Sequence, residues 1–232
     1  MTNRSLKLPA PRLPDRSSSS AAVASRYADW LAKGIHIATP NKHAGSGPLA
    51  RYEAIKKAST RGRFRAESTV GAGLPVITTL RDLLDTGDQV LAIEGIFSGT
   101  LAWLFNTWDG STPFSALVGQ ARQLGYTEPD PRDDLSGMDV ARKLVILARE
   151  SGWKTTLDTV KVESLVPASL QGVTPAEFLT RLSELDAPMQ ARLAAAKKNG
   201  NVLRYVAKLE GAGSAQVGLM ELPTTHAFAH IK

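Results

Sequence analysis

The residues able to do chemistry concentrate in one stretch. Between Gly125 and Lys143 run Glu128, Asp130, Asp133, Asp134 and Asp139, and the stretch closes on the lysine. Asp139 and Lys143 are four apart, so a helix places both on one face. Met138, Val140, Ala141 and Leu144 to Ala148 surround them, and a helix this apolar buries most of its sides. A charged lysine buried without a partner is costly. It either pairs with a carboxylate and keeps its charge, or its pKa falls until it exchanges a proton near neutral pH. Several carboxylates with one or two lysines suit a small substrate carrying an ammonium group. The same spacing also describes an ordinary ion pair on a solvated face, and spacing alone leaves both readings open.

The surrounding elements must position these groups. An amphipathic helix is expected over 21–33, with Val23, Tyr27, Trp30 and Leu31 on one side, and Gly34 ends it. A strand over 35–39 follows, then Pro40-Asn41-Lys42, a helix over 49–59 and a strand over 64–68. Lys42 therefore lies just past the carboxyl end of a strand, where α/β sheets place ligands. Thr69–Pro75 is a glycine-rich turn before a helix over 76–85. Strand 89–97, helices 101–108 and 113–124, an acidic loop over 128–134 and a strong helix over 137–151 come next. A strand over 160–165, helical stretch 175–199 and a hairpin of 202–209 with 215–222 complete the reading, giving an α/β start and an α+β remainder.

Two patterns invite other chemistry. Gly45-Ser46-Gly47-Pro48-Leu49-Ala50 fits a dinucleotide fingerprint, with Glu67 about 20 residues on, but its glycines do not directly follow a strand. His226 and His230 have zinc-ligand spacing without a nearby third ligand.

Composition narrows the classes. Cysteine is absent, which removes disulfides and thiolate sites. No 18-residue apolar run predicts a membrane span. The net charge of +6 raises nucleic-acid binding. Half of that surplus, however, lies in residues 1–16, where Arg4, Lys7, Arg12 and Arg16 face Asp15 alone. A cytoplasmic protein that binds neither nucleic acid nor membrane is the expectation.

The run from Ala121 to Lys143 resembles the signature of homoserine dehydrogenases: an alanine, Gly-Tyr-Thr, Asp-Pro, Asp-Leu-x-Gly-x-Asp and the closing lysine. Ala38–Lys42, Thr69–Pro75 and Ser98-Gly99-Thr100 follow in family order, and likeness extends from about Ser18 onward. Tyr27–Leu31 is most similar to the form in bifunctional aspartokinase–homoserine dehydrogenases. The resemblance implies NAD(P)-dependent interconversion of L-homoserine and L-aspartate 4-semialdehyde, in threonine, methionine and isoleucine synthesis, by a homodimer. It implies Lys143 and Lys42 as catalytic, and Glu128, Asp134 and Asp139 as substrate-binding. Ser18, Ser19, Lys42, Ser98, Gly99 and Thr100 would face NADP or NAD. Glu67, Val70, Ala72 and Leu74 would hold a sodium ion.

The implied fold is a remnant of a Rossmann-type nucleotide-binding domain plus a mixed-sheet catalytic and dimerisation domain. Residues 1–17 are expected to be an irregular basic tail, 18–66 the remnant and 67–232 the catalytic domain. The family's opening strand and phosphate loop have no counterpart before Ser18, and its C-terminal segment has none before Lys232. A chain truncated at both ends, with impaired turnover, is the resulting expectation; a non-catalytic dimerising or substrate-binding fragment is the alternative.

Overall fold

The computed structural model describes residues 20–211 and 213–231. The expected basic tail, Ser18 and Ser19 lie outside the described residues. The chain opens with two short helices, α1 (Ala21–Ala24) and α2 (Tyr27–Ala32), where one was expected. The break has a local cause. Ser25 Oγ donates to the Ala22 carbonyl at 2.7 Å, and Arg26 N donates to the Val23 carbonyl, three residues back. Both draw the backbone away from the four-residue ladder.

Strand β1 (Ile37–Ala38), helices α3 (Lys42–Ser46) and α4 (Leu49–Ala58) and strand β2 (Phe64–Arg65) form a parallel β-α-β unit. Its register pairs Ile37 with Phe64 and Ala38 with Arg65. The strands are two residues each, shorter than the hydrophobic runs suggest. Helix α3 falls in a stretch for which no helix was expected. Ala24, Tyr27, Leu31, Ile37, Ala44, Ile55 and Phe64 form the unit's own apolar cluster.

Then come α5 (Val76–Asp85), β3 (Ala92–Gly95), α6 (Gly99–Thr107) and α7 (Phe114–Gln123). The acidic loop is not wholly irregular, for it contains α8 (Arg132–Leu135). Helix α9 (Met138–Glu150) follows it, then β4 (Lys161–Val162), α10 (Ala168–Gln171), α11 (Pro175–Thr180) and α12 (Asp186–Lys198). The hairpin β5 (Asn201–Glu210) and β6 (Ser214–Pro223) closes the sheet, whose order is β3-β5-β6-β4. β3 and β6 run antiparallel to β5, while β4 runs parallel to β6. Alternation in β5 and β6 turns Leu203, Tyr205, Ala207 and Leu209, with Ala215, Val217 and Leu219, into the main core.

Helix α9 is the shared axis of the described fold. Val140, Ala141, Leu144, Val145 and Ala148 enter the main core, while Ile146 and Leu147 join Val70 and Ile77 in a second cluster. Its last residue ties α4 and α5 to it. The Glu150 carboxylate, 5% exposed, accepts from Arg81 Nε at 2.8 Å and Lys56 Nζ at 3.3 Å. Burial pushes this carboxyl up, but the two cations outweigh it and hold it below the usual range.

Both ends of α9 can be tested. Gly137, its N-cap, has φ +72°, and a Cβ there would strike the Tyr205 hydroxyl and its ring carbon Cζ. Gly137→Ala is expected to cost about 2–4 kcal/mol, combining left-handed strain with overpacking, read as a fall in urea midpoint. A neutral change with unaltered Tyr205 fluorescence would remove this contact as a constraint. Because the folded-state pKa of Glu150 is depressed, its contribution is present above about pH 4.3 and is lost as pH falls through the folded value. Glu150→Gln is expected to lose about 2–3 kcal/mol at pH 7, with the gap to wild type narrowing below about pH 4. A constant gap across that range would show that the charge contributes nothing.

Candidate active site

Three charged side chains meet at the start of α9. Asp139 Oδ2 lies 2.8 Å from Lys143 Nζ, and Asp139 Oδ1 lies 3.1 Å from Lys42 Nζ. Lys143 Nζ also donates to the Phe97 carbonyl at 2.7 Å. The Lys143 side chain is 17% exposed and that of Asp139 41%, so the pair lies at the edge of the core with its carboxylate open to solvent. Lys143 is thus held by one carboxylate and one backbone carbonyl. An ammonium has three protons; two are used, and one remains for a ligand.

The sequence explains each placement. Lys143 follows Asp139 by one helical turn. Lys42 is the first residue of α3, whose N-cap Asn41 accepts from His43 N at 3.0 Å and donates to the Ser20 carbonyl at 2.9 Å. Asn41 is 1% exposed, so the α3 start is fixed. Phe97 precedes Ser98, whose Oγ caps α6 by accepting from Leu101 N. The expected cofactor-side turn Ser98-Gly99-Thr100 is thus joined to Lys143 through the neighbouring carbonyl.

A second group of acids lies beside the first. Asp134 accepts from Thr100 Oγ1 at 2.9 Å and from Glu128 N at 2.8 Å. Thr100 Oγ1 lies 2.6 Å from the Tyr126 carbonyl as well. Arg132 anchors the loop by pairing with Asp130 at 2.6 Å and donating to the Val173 carbonyl at 2.6 Å. The Glu128 carboxylate itself is exposed, within electrostatic range of Asp134.

The two central carboxyls are pushed in opposite directions. Burial raises Asp134, and the charges of Glu128 and Asp139 add to this, over the lowering from its two hydrogen bonds. Burial also raises Asp139, but Lys143 and Lys42 outweigh it and hold the group below the ordinary carboxylate value. The difference has a plain cause: cations face Asp139, and acids face Asp134. The arrangement can hold a cationic group beside Glu128 and Asp134, and an oxygen with its proton beside Lys143.

The remaining expected residues lie apart from this cluster. The Glu67 carboxylate caps α5, accepting from Ile77 N at 2.8 Å and from Thr78 N and Oγ1 at 3.0 and 2.7 Å. Carbonyls of Val70, Ala72 and Leu74 belong to the same turn, where Ala72 has φ +51°. These are hard oxygen donors of the kind a sodium ion takes. Gly45 and Gly47 turn their carbonyls, not their amides, inward to the buried Arg149, the wrong polarity for a phosphate. His226 caps a short turn, and no group of three or more His, Asp or Glu able to hold a metal occurs among the described residues. Sequence reading missed the Phe97 carbonyl, Thr100 as a partner of Asp134, Arg132 and Arg149. Of these, Thr100 and Arg132 lie inside named motifs. Two surface grooves, of about 690 and 490 Å³, lie along β4 and β6 and between α5 and β3, away from the charged cluster.

Comparison with known proteins agrees with the signature. Residues 75–232 match the homoserine dehydrogenase family model. The chain is 51% identical over 219 residues to a chloroplastic bifunctional aspartokinase/homoserine dehydrogenase 2 of Zea mays, covering 92% of this chain and 24% of that protein. It is 47% identical over 230 residues to a homoserine dehydrogenase of Emericella nidulans, covering 93% and 62%. A crystal structure of a Candida auris protein of unknown function is 45% identical with a TM-score of 0.87, over 92% of this chain and 63% of that one. The chain thus spans about a quarter of the maize protein's length and under two thirds of the fungal one. No helix among the described residues is long and apolar enough to cross a membrane. On the family match and these identities, the chain belongs to the homoserine dehydrogenase family.

Proposed function

We propose that the protein interconverts L-homoserine and L-aspartate 4-semialdehyde with NADP or NAD, supplying threonine, methionine and isoleucine synthesis. The observation that carries this reading is Asp139 bridging Lys42 and Lys143 beside the Ser98–Thr100 turn. Lys143 stands as the proton donor at the aldehyde oxygen in the reductive direction, and takes the hydroxyl proton in the oxidative one. Asp139 orients it, and the Phe97 carbonyl fixes its nitrogen. Lys42 adds a second positive charge where the substrate oxygen becomes anionic. Glu128 and Asp134 hold the substrate ammonium. A nicotinamide, when bound, supplies or accepts the hydride.

Lys42, Ser98, Gly99 and Thr100 are the described residues that would face the nicotinamide. A hyperthermophilic archaeal homoserine dehydrogenase of similar fold, 20% identical with a TM-score of 0.65, has been solved with NADPH. Glu67, Val70, Ala72 and Leu74 would hold a sodium ion, with Glu67 shared between the ion and the α5 cap. The division into a nucleotide-binding part ending at 66 and a catalytic, homodimer-forming part from 67 belongs to the same proposal. A cytoplasmic location belongs to the same proposal, with a cysteine-free composition that a reducing compartment allows; the maize relative is chloroplastic.

A second reading is homoserine binding without turnover. It rests on the acids alone: Glu128 and Asp139 both come within electrostatic range of Asp134.

Calorimetry with L-homoserine and an assay of NADP-linked homoserine oxidation on the full chain test both readings. Asp139→Asn leaves two lysines facing each other and is expected to weaken homoserine binding about 10- to 100-fold. Lys143→Met is expected to lower turnover about 10²- to 10⁴-fold while changing affinity far less. Heat without turnover in the wild type selects the second reading. Absence of binding to the wild type overturns both.

A further inference from the structure

One buried charge on α9 serves neither the site nor an ion pair. Arg149 is 3% exposed, and its three hydrogen bonds all go to backbone carbonyls. Nε donates to Thr155 at 2.9 Å, and Nη1 donates to Gly45 at 2.7 Å and Gly47 at 2.8 Å. Nη2 has no partner among the described residues. The Tyr52 ring lies 5.5 Å from the guanidinium carbon. A cation held this way is a poor device for stability, since only carbonyl dipoles and one ring face offset its desolvation. Its position suggests another use.

Gly45 and Gly47 end the short helix α3, and that helix begins at Lys42. Orphan carbonyls at a helix C-terminus attract a cation. Helix α3 runs along α9 and meets it at three points. Lys42 pairs with Asp139; Gly45 lies so close that a Cβ would come 2.8 Å from Ile146 Cγ1; Gly45 and Gly47 bond Arg149. Positions 139, 146 and 149 share one side of α9 by helical spacing. The planar guanidinium meets these three carbonyls with donors fixed in direction.

We propose that Arg149 is a positioning residue for Lys42. From the far end of α9 it clamps the end of α3, and so holds that helix's first residue against Asp139. The functional importance of the clamp rests on the reading of Lys42 as a site residue; its mechanical effect does not.

The experiment is competitive acetylation of lysines in the folded full chain near neutral pH, with rates read at each lysine by peptide mass spectrometry. Arg149→Met is expected to raise the Lys42 rate about two- to fivefold, the range set by loss of a partly exposed ion pair. Arg149→Lys keeps the charge but not the fork and should fall between that variant and wild type. Lys56→Met, which breaks the neighbouring pair with Glu150 without touching α3, should leave the Lys42 rate unchanged. An unchanged Lys42 rate in folded Arg149→Met overturns the proposal. So does a common acceleration at Lys42 and Lys161, which would report general loosening. Failure of both Arg149 variants to fold, judged by circular dichroism, also overturns it, because the residue would then serve the whole chain. Homoserine calorimetry on the wild type is read separately: its failure removes the substrate reading and leaves the labelling outcome standing.

Discussion

Helix α9 is apolar enough to be buried on most sides, yet besides Arg142 it carries four ionic side chains held by specific partners: Asp139, Lys143, Arg149 and Glu150. Its own turns satisfy only the Asp139–Lys143 pair. The rest comes from other elements: Lys42 from α3, the Phe97 carbonyl ahead of α6, the Gly45 and Gly47 carbonyls, and Lys56 and Arg81 from α4 and α5. Pairing buried ions across elements gains little net stability, because desolvation consumes most of the attraction. What it does fix is relative position. Each partner is tied to a named point on α9, and a misplaced element would leave a buried charge unpaired at a cost of several kcal/mol.

The electrostatics of the site follow from that placement. Asp139 is nearly neutralised by two lysines, so the α9 end of the cluster is positive on balance. Asp134 and Glu128 have no cation paired with them among the described residues and leave the other end negative. In the proposed reading this polarity matches a substrate with an ammonium at one end and an oxygen that gains negative charge at the other. Burial and its acidic neighbours push Asp134 up, and a cationic ligand would oppose that shift on binding. Part of the binding energy would then come from relief of strain among the carboxylates.

What the sequence reveals of this arrangement depends on distance along the chain. Helix α5 occupies the expected 76–85, and α9 and the hairpin lie within a residue or two of their expected spans, because each carries its own periodicity and glycine stops. The Asp139–Lys143 pair is a matter of one turn. Lys42 belongs to a different helix, far upstream of Asp139, and only its place after a strand hints at a site. The Phe97 carbonyl has no signal, since every residue has a carbonyl. The break at Ser25 leaves no trace in the pattern either, because a serine's bond to nearby backbone does not disturb the apolar spacing that suggests a single helix. Arg132 and Arg149 look like ordinary surface charges in the sequence; what distinguishes them is burial, a tertiary property.

The glycine pattern at 45–50 shows what a motif asserts physically. A phosphate-binding loop is a claim about amide direction: N–H groups converge on an anion. Here the two glycines close the short helix α3, although the same letters run on into the start of α4, and it is their carbonyls that converge. They receive a guanidinium. A glycine at 45 is still required, though for a different close approach, that of α3 to Ile146 on α9. Spacing identifies where backbone comes close to something. Whether that something is an anion or a cation is decided by which end of a helix the glycines occupy, and at this joint it is the carboxyl end.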